Sequence, residues 1–178
     1  MRNVNAEWFE VKISYEKIQD DGTQRKVTEA YVVDAMSYTE AESTIIDQMS
    51  NYITGEFKIK DIKQATYRDV FFSDKTTDDY WFKVKVKYIT LDEKTAKEKY
   101  SMVTYLFQAH TLQLAVGYAE NALDKGLADY KISNVSETPI MDIFEHENIS
   151  RNLRKLENGN ADDDIVEYEA ANLNDNEE

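Results

Sequence analysis

A chain of 178 residues with 42% apolar content fills one domain or two small ones, and its 1 Pro and 5 Gly exclude collagen-like, Pro-rich and Gly-rich classes. Zero Cys excludes a disulfide framework, thiolate zinc sites, Cys-held iron–sulfur clusters and a Cys nucleophile. The net charge is −14, and eight of the carboxylates crowd into residues 160–178, which leaves −6 for residues 1–159.

The N-terminal run Met1-Arg2-Asn3-Val4-Asn5-Ala6-Glu7 lacks the apolar core of a signal peptide, and no stretch of about 18 apolar residues follows it. That predicts a cytoplasmic protein with no membrane partner. Phe9, Val11, Ile13 and Tyr15 then alternate with Glu10, Lys12, Ser14 and Glu16, the period of a half-buried strand. Asp20-Asp21-Gly22-Thr23 is a turn signal, so a second strand returns through Val27 to Ala35. Ser37-Tyr38-Thr39-Glu40 fits a capping box. Ala41, Ile45, Ile46, Met49 and Ile53 continue at helical spacing, with Gly55 suited to the helix C′ position. Residues 57–62 and 66–72 read as two further strands.

The same order recurs. Trp8-Phe9-Glu10-Val11-Lys12-Ile13-Ser14-Tyr15 matches Trp81-Phe82-Lys83-Val84-Lys85-Val86-Lys87-Tyr88 at an offset of 73. Tyr31-Val32-Val33-Asp34-Ala35 matches Tyr105-Leu106-Phe107-Gln108-Ala109 at 74, and Asp69-Val70-Phe71 matches Asp142-Ile143-Phe144 at 73. In the second unit Asp92-Glu93-Lys94-Thr95 connects the hairpin and Thr111 caps the helix. Leu112, Ala115, Val116, Ala119 and Leu123 face the sheet, Gly126 ends the helix, and Pro139 stands where the last strand starts.

The fold class is therefore α+β, with two tandem β-β-α-β(-β) repeats and mostly antiparallel pairing. The organisation is residues 1–76 for the first repeat, 77–147 for the second, a short helix at 148–159 and an acidic tail at 160–178. Two such units can pack sheet to sheet, pack helix to helix, or join edges. The sequence leaves all three open.

Candidate sites are few. Lys83, Lys85 and Lys87 form a stripe on one face of the second unit's first strand, where unit one carries Glu10, Lys12 and Ser14. They are the candidate nucleic-acid contacts, set against a plain solvated face. Trp8 and Trp81 read as core residues rather than base-stacking platforms. His110 alternates with Met36, which argues against a metal ligand, and the neighbours in Glu145-His146-Glu147 point to opposite faces on extended backbone. Asp69 and Asp142 recur at equivalent positions, as a turn cap or as a carboxylate pair. No phosphate-binding glycine loop, dinucleotide fingerprint or nucleophile elbow is present. No catalytic residue, cofactor or metal is expected.

The pattern Trp8-Phe9-x-Val11-Lys12-x-x-Tyr15, followed by Tyr31-x-Val33-Asp34-Ala35-x-Ser37-x-Thr39-Glu40-Ala41-Glu42, resembles a family of domains of unknown function from Bacteroidetes and their phages and mobile elements. The resemblance spans roughly residues 5–147 and implies a source but no activity and no site residues. Two functions follow as expectations. The first is a non-catalytic adaptor or accessory protein that binds a protein partner. The second is a single-stranded-DNA-associated replication accessory with an acidic regulatory tail.

The tail has too little apolar area to offset an ordering cost of roughly 1–2 kcal/mol per residue, which predicts disorder. Removing residues 160–178 is expected to leave the stability of the body almost unchanged, with a melting-temperature shift within about 2–4 °C, that of a ~1 kcal/mol change in a body of this size. A larger drop in a calorimetric scan would show that the segment packs.

Overall fold

Residues 6–91, 97–124, 126 and 128–145 are described by the structure, a computed structural model. The predicted hairpin connection at 92–95, the helix at 148–159 and the acidic tail at 160–178 lie outside those residues.

Alternation in the first unit becomes an antiparallel hairpin of β1 (Glu7–Ile18) and β2 (Gln24–Ala35), in unbroken register from Glu7 opposite Ala35 to Ile18 opposite Gln24. Gly22 has a φ of 80°, the left-handed step that the tight turn requires. α1 (Tyr38–Tyr52) starts at its predicted cap. Ser37 Oγ accepts from the Glu40 amide at 3.2 Å, while Glu40 reaches back to the Met36 amide at 2.8 Å, one residue before the cap itself. The helix buries Ala41, Ile45 and Met49. Ile46, expected on the same face, is 41% exposed, because one residue turns a helix by 100° and carries it past the sheet. Gly55 is not the C′ residue. It lies two residues beyond the cap Ile53, and its φ of 128° turns the chain into β3 (Phe57–Gln64). β4 (Tyr67–Phe71) follows.

The second unit repeats the order with β5 (Tyr80–Leu91), β6 (Glu98–Ala109), α2 (Leu112–Leu123), β7 (Asp129–Glu137) and β8 (Ile140–Phe144). Thr111 caps α2 by accepting from the Leu114 amide at 3.3 Å. Ala115 and Ala119 are buried beneath the helix, whereas Leu112, in the first turn, is 44% exposed.

The α+β class holds, and the packing is sheet to sheet with a feature that periodicity does not disclose. The strand orders are β3-β1-β2-β8 and β4-β6-β5-β7. Each sheet therefore holds three strands of one unit and the fourth strand of the other. The borrowed strands pair in parallel, β8 on β2 and β4 on β6, so both sheets are mixed but antiparallel-rich.

The two crossovers are built alike. The Ala65 amide donates to the Trp8 carbonyl at 2.7 Å, and the Thr138 amide donates to the Trp81 carbonyl at 2.9 Å. Pro139 sits just after the second crossover, where no ladder donor is lost. Bulges also fall at equivalent places, between Lys12 and Ile13 and between Lys85 and Val86.

Alternation then sorts the side chains into layers. Phe9, Val11 and Ile13 meet Ala41, Ile45 and Met49 under α1, and Val84, Val86 and Phe107 meet Ala119 under α2. Between the sheets, Trp8, Val32, Ile140 and Ile143 face Tyr67, Val70, Trp81 and Leu106. The layers run helix, sheet, sheet, helix. Among the described residues no helix is long and apolar enough to cross a membrane.

Residues 1–76 expressed alone leave the β2 edge without β8 and β4 without a sheet. The expected outcome is an unfolded chain or a symmetric dimer that exchanges β4. Light scattering with an amide NMR spectrum checks this. A monomer with dispersed resonances would show that one unit folds by itself.

Candidate binding face on the second sheet

On β5, Phe82, Val84 and Val86 are buried toward α2, which puts Trp81, Lys83, Lys85 and Lys87 on the opposite face, toward the first sheet. The three lysines are not equivalent. Lys83 is half-buried at the junction of the sheets. Its Nζ lies 3.7 Å from Glu10 Oε1 and 4.9 Å from the centre of the Tyr67 ring. The Tyr67 hydroxyl donates to the same Glu10 carboxylate. Burial first, and then that bond, push the Tyr67 hydroxyl well above its ordinary pKa, so it stays the donor. Lys83 thus belongs to the joint between the halves, not to the free surface where the sequence stripe puts it.

Lys85 is exposed, and the Lys87 ammonium stands 3.7 Å from the centre of the Tyr100 ring. Cross-strand register supplies their neighbours. Lys85 lies between Thr104 and Asn134, and Lys87 between Met102 and Lys131. No carboxylate occupies those four positions. Past them come Ile89, Tyr100 and Leu91, with Asp129 and Glu98 at the border. Met102 is 58% exposed, Tyr100 53% and Leu91 66%. Among the described residues, Lys85, Lys87 and Lys131 have no ion-pair partner. The corresponding face of the first sheet differs, because Lys12 there lies opposite Asp61 and next to Glu10.

The remaining candidates disperse. Trp8 and Trp81 are 1% and 2% exposed, which closes them to stacking with a base. Asp69 and Asp142 lie in different sheets, and each accepts from the next amide, Val70 at 2.9 Å and Ile143 at 2.7 Å, so each serves its own strand at a bulge. His110 Nδ1 is 3.3 Å from Asp79. His146 and Glu147 are outside the described residues. Among those described, no three His, Asp or Glu side chains gather as metal ligands would.

One cluster escapes sequence reasoning. Asp78, 3% exposed, accepts from Ser73 Oγ at 2.5 Å, the His110 amide at 3.0 Å and the Tyr118 hydroxyl at 3.0 Å. The Ser73 bond leads in holding its carboxyl below the ordinary value. Three donors leave the carboxylate satisfied, so it latches the β4–β5 connection to α2. Beside it Phe71, Phe72, Lys75 and Asn121 line an open cleft of about 480 Å³. Asp78 stands among Asp74, Lys75 and Asp79, and nothing in that polar run marks it as buried.

The family model described as a domain of unknown function, DUF4494, matches residues 7–146. The chain belongs to this family. The match takes in both repeats and both crossovers, so the exchanged-strand body is what the DUF4494 match covers. No curated protein and no solved structure matches the chain.

The Glu10–Lys83 contact is open to a charge exchange. E10K and K83E alone are each expected to cost about 1–3 kcal/mol, since each sets like charges beside a half-buried joint. The double variant is expected to recover much of that loss in urea unfolding. Costs that add within about 0.5 kcal/mol would show that the two side chains do not act as a pair.

Proposed function

We propose that this DUF4494 protein is a non-catalytic adaptor that holds another macromolecule on the inner face of its second sheet, past the Trp81–Leu106 core. The observation that carries the reading is the composition of that face. Met102, Tyr100 and Leu91 stay more than half exposed beside Lys85, Lys87 and Lys131, which have no ion-pair partner among the described residues. Such exposed apolar area marks an interaction surface, and aromatic residues and Met are enriched in protein interfaces. A protein partner that offers an acidic segment with apolar side chains fits it.

Single-stranded DNA is the second reading, favoured by one contact. Lys87 over the Tyr100 ring joins a cation to an exposed aromatic face, which suits a phosphate next to a stacked base. The charge of −6 on residues 1–159 repels a polyanion at long range and keeps this reading second. The proposed source is a Bacteroidetes cell or its phages and mobile elements, which the sequence resemblance supports. The proposed compartment is the cytoplasm, and a chain with zero Cys needs nothing from an oxidising one.

Affinity capture with the wild type and with a Tyr100→Glu/Met102→Glu variant tests the adaptor. Both side chains are exposed, so the variant is expected to fold. A partner held by the wild type through a salt wash and lost from the variant is the expected result. A partner set that the variant leaves unchanged would move the interface elsewhere. For DNA, a thymidine oligomer is titrated at about 50 and 200 mM salt. Binding that loses about 0.7 of a log unit in slope for each of Lys85 and Lys87 replaced by Ser would put DNA first.

A further inference from the structure

We infer that the inner face of the second sheet is the docking surface for the chain's own acidic segment, residues 160–178, so that an external partner must displace it. The inference rests on the reading of that face as a binding surface and adds its regulation.

Charge complementarity is the first support. Lys85, Lys87 and Lys131 carry no ion-pair partner among the described residues, and residues 160–178 bring eight carboxylates and no cation. Apolar complementarity is the second. Tyr100, Met102 and Leu91 are exposed between and beyond the lysines, and Ile165, Val166, Tyr168 and Leu173 punctuate the acidic segment. A solely electrostatic attraction would not select this face over other lysines of the body. The corresponding row of the first sheet interleaves Glu10, Glu16 and Asp61 with Lys12, Lys26, Lys58 and Lys63, so its lysines already have carboxylates as neighbours.

Reach and tethering are the third support. Seventeen positions separate Glu145 from Asp162. At about 3.3 Å each they span some 55 Å when extended, and about 35 Å with the helix expected at 148–159 rising ~1.5 Å per residue, close to the ~40 Å length of a 12-residue strand such as β5. A tethered segment meets its surface at an effective concentration on the order of mM, so contacts too weak to join separate molecules are populated within one chain. Any acidic partner of the lysine face competes with this local supply of carboxylates.

The absence of Cys allows the test to be made on the full chain. A single Ala170→Cys carries a nitroxide, and amide intensities are compared with the reduced, diamagnetic form. Expected at about 50 mM salt is at least a twofold loss at Lys85, Lys87, Tyr100 and Met102, reversed at about 0.5 M salt, where charges a few ångströms apart are screened. A Lys85→Ser/Lys87→Ser/Lys131→Ser chain with the same label is expected to keep its dispersed spectrum and lose the broadening. No selective broadening, or broadening centred on the first sheet, would overturn the inference. So would broadening seen only when a labelled chain is mixed with an isotope-enriched unlabelled one, since the occupant would then be a second copy. If docking fails while Tyr100→Glu/Met102→Glu still loses a captured partner, the adaptor stands and self-docking alone falls. If capture also survives that variant, the face itself is not the site.

Discussion

The structure is organised by the exchange of β4 and β8 between the sheets, and a backbone hydrogen bond fastens each crossing, from Ala65 to the Trp8 carbonyl and from Thr138 to the Trp81 carbonyl. Each bond holds the chain where it leaves one sheet for the other. Because β4 completes the sheet of the second unit and β8 completes that of the first, neither sheet is finished by its own repeat. The tryptophans at those points fill the space the crossing strands enclose, and large buried aromatics contribute heavily to such a core. A tandem repeat is usually pictured as two beads. Here the beads share strands, and the cost of separating them includes two parallel ladders as well as the core between the sheets.

Exchange also brings equivalent residues face to face. Positions 10 and 83 correspond in the repeat, and they touch across the pseudo-two-fold joint. In a symmetric dimer of one unit the same residue would stand on both sides, and a charge would meet its like. A single chain carrying two diverged copies can place Glu on one side and Lys on the other. Tyr67 completes the arrangement on one side only, since its equivalent is Ile140, a residue with no hydroxyl to donate. The joint is thus polar at its rim and apolar at Trp8 and Trp81.

Local physics was legible in the sequence, and nonlocal pairing was not. Alternation located the strands, and the spacing of Ala41, Ile45 and Met49 located the helix face, because those periods are properties of the backbone itself. The cap at Ser37 was legible for the same reason. The partner of β4 was not, since Tyr67, Val70 and Phe71 would alternate identically beside either unit. Lys83 illustrates the consequence. Its place in the stripe followed from period 2, but its pairing with Glu10 depends on how the sheets stack. Lys131, Tyr100 and Met102 had a faint signal. Once the hairpin register is known they fall opposite Lys87 and Ile89, yet that register could not be drawn until β6 and β7 were placed on either side of β5. Asp78 had none, because burial of a carboxylate in a polar connection depends on Tyr118 from a distant helix.

The four-layer stack also explains why a binding face lies where it does. α1 and α2 cover the outer faces of the two sheets, so the inner faces are the broad sheet surfaces left to choose between. The apolar contact between them stops at Val32, Leu106 and the two tryptophans, whereas β5 and β6 run on for several residues past that point. Strands of 12 residues are longer than the inter-sheet core needs, and their inward rows emerge into solvent carrying whatever side chains the sequence put there. In the first sheet those rows mix both charges. In the second they carry lysine with exposed aromatic and aliphatic groups. The asymmetry is confined to the rows that packing leaves free, where a change of side chain leaves the buried layers untouched, and a duplicated fold can therefore specialise one half for binding while both halves keep the same core.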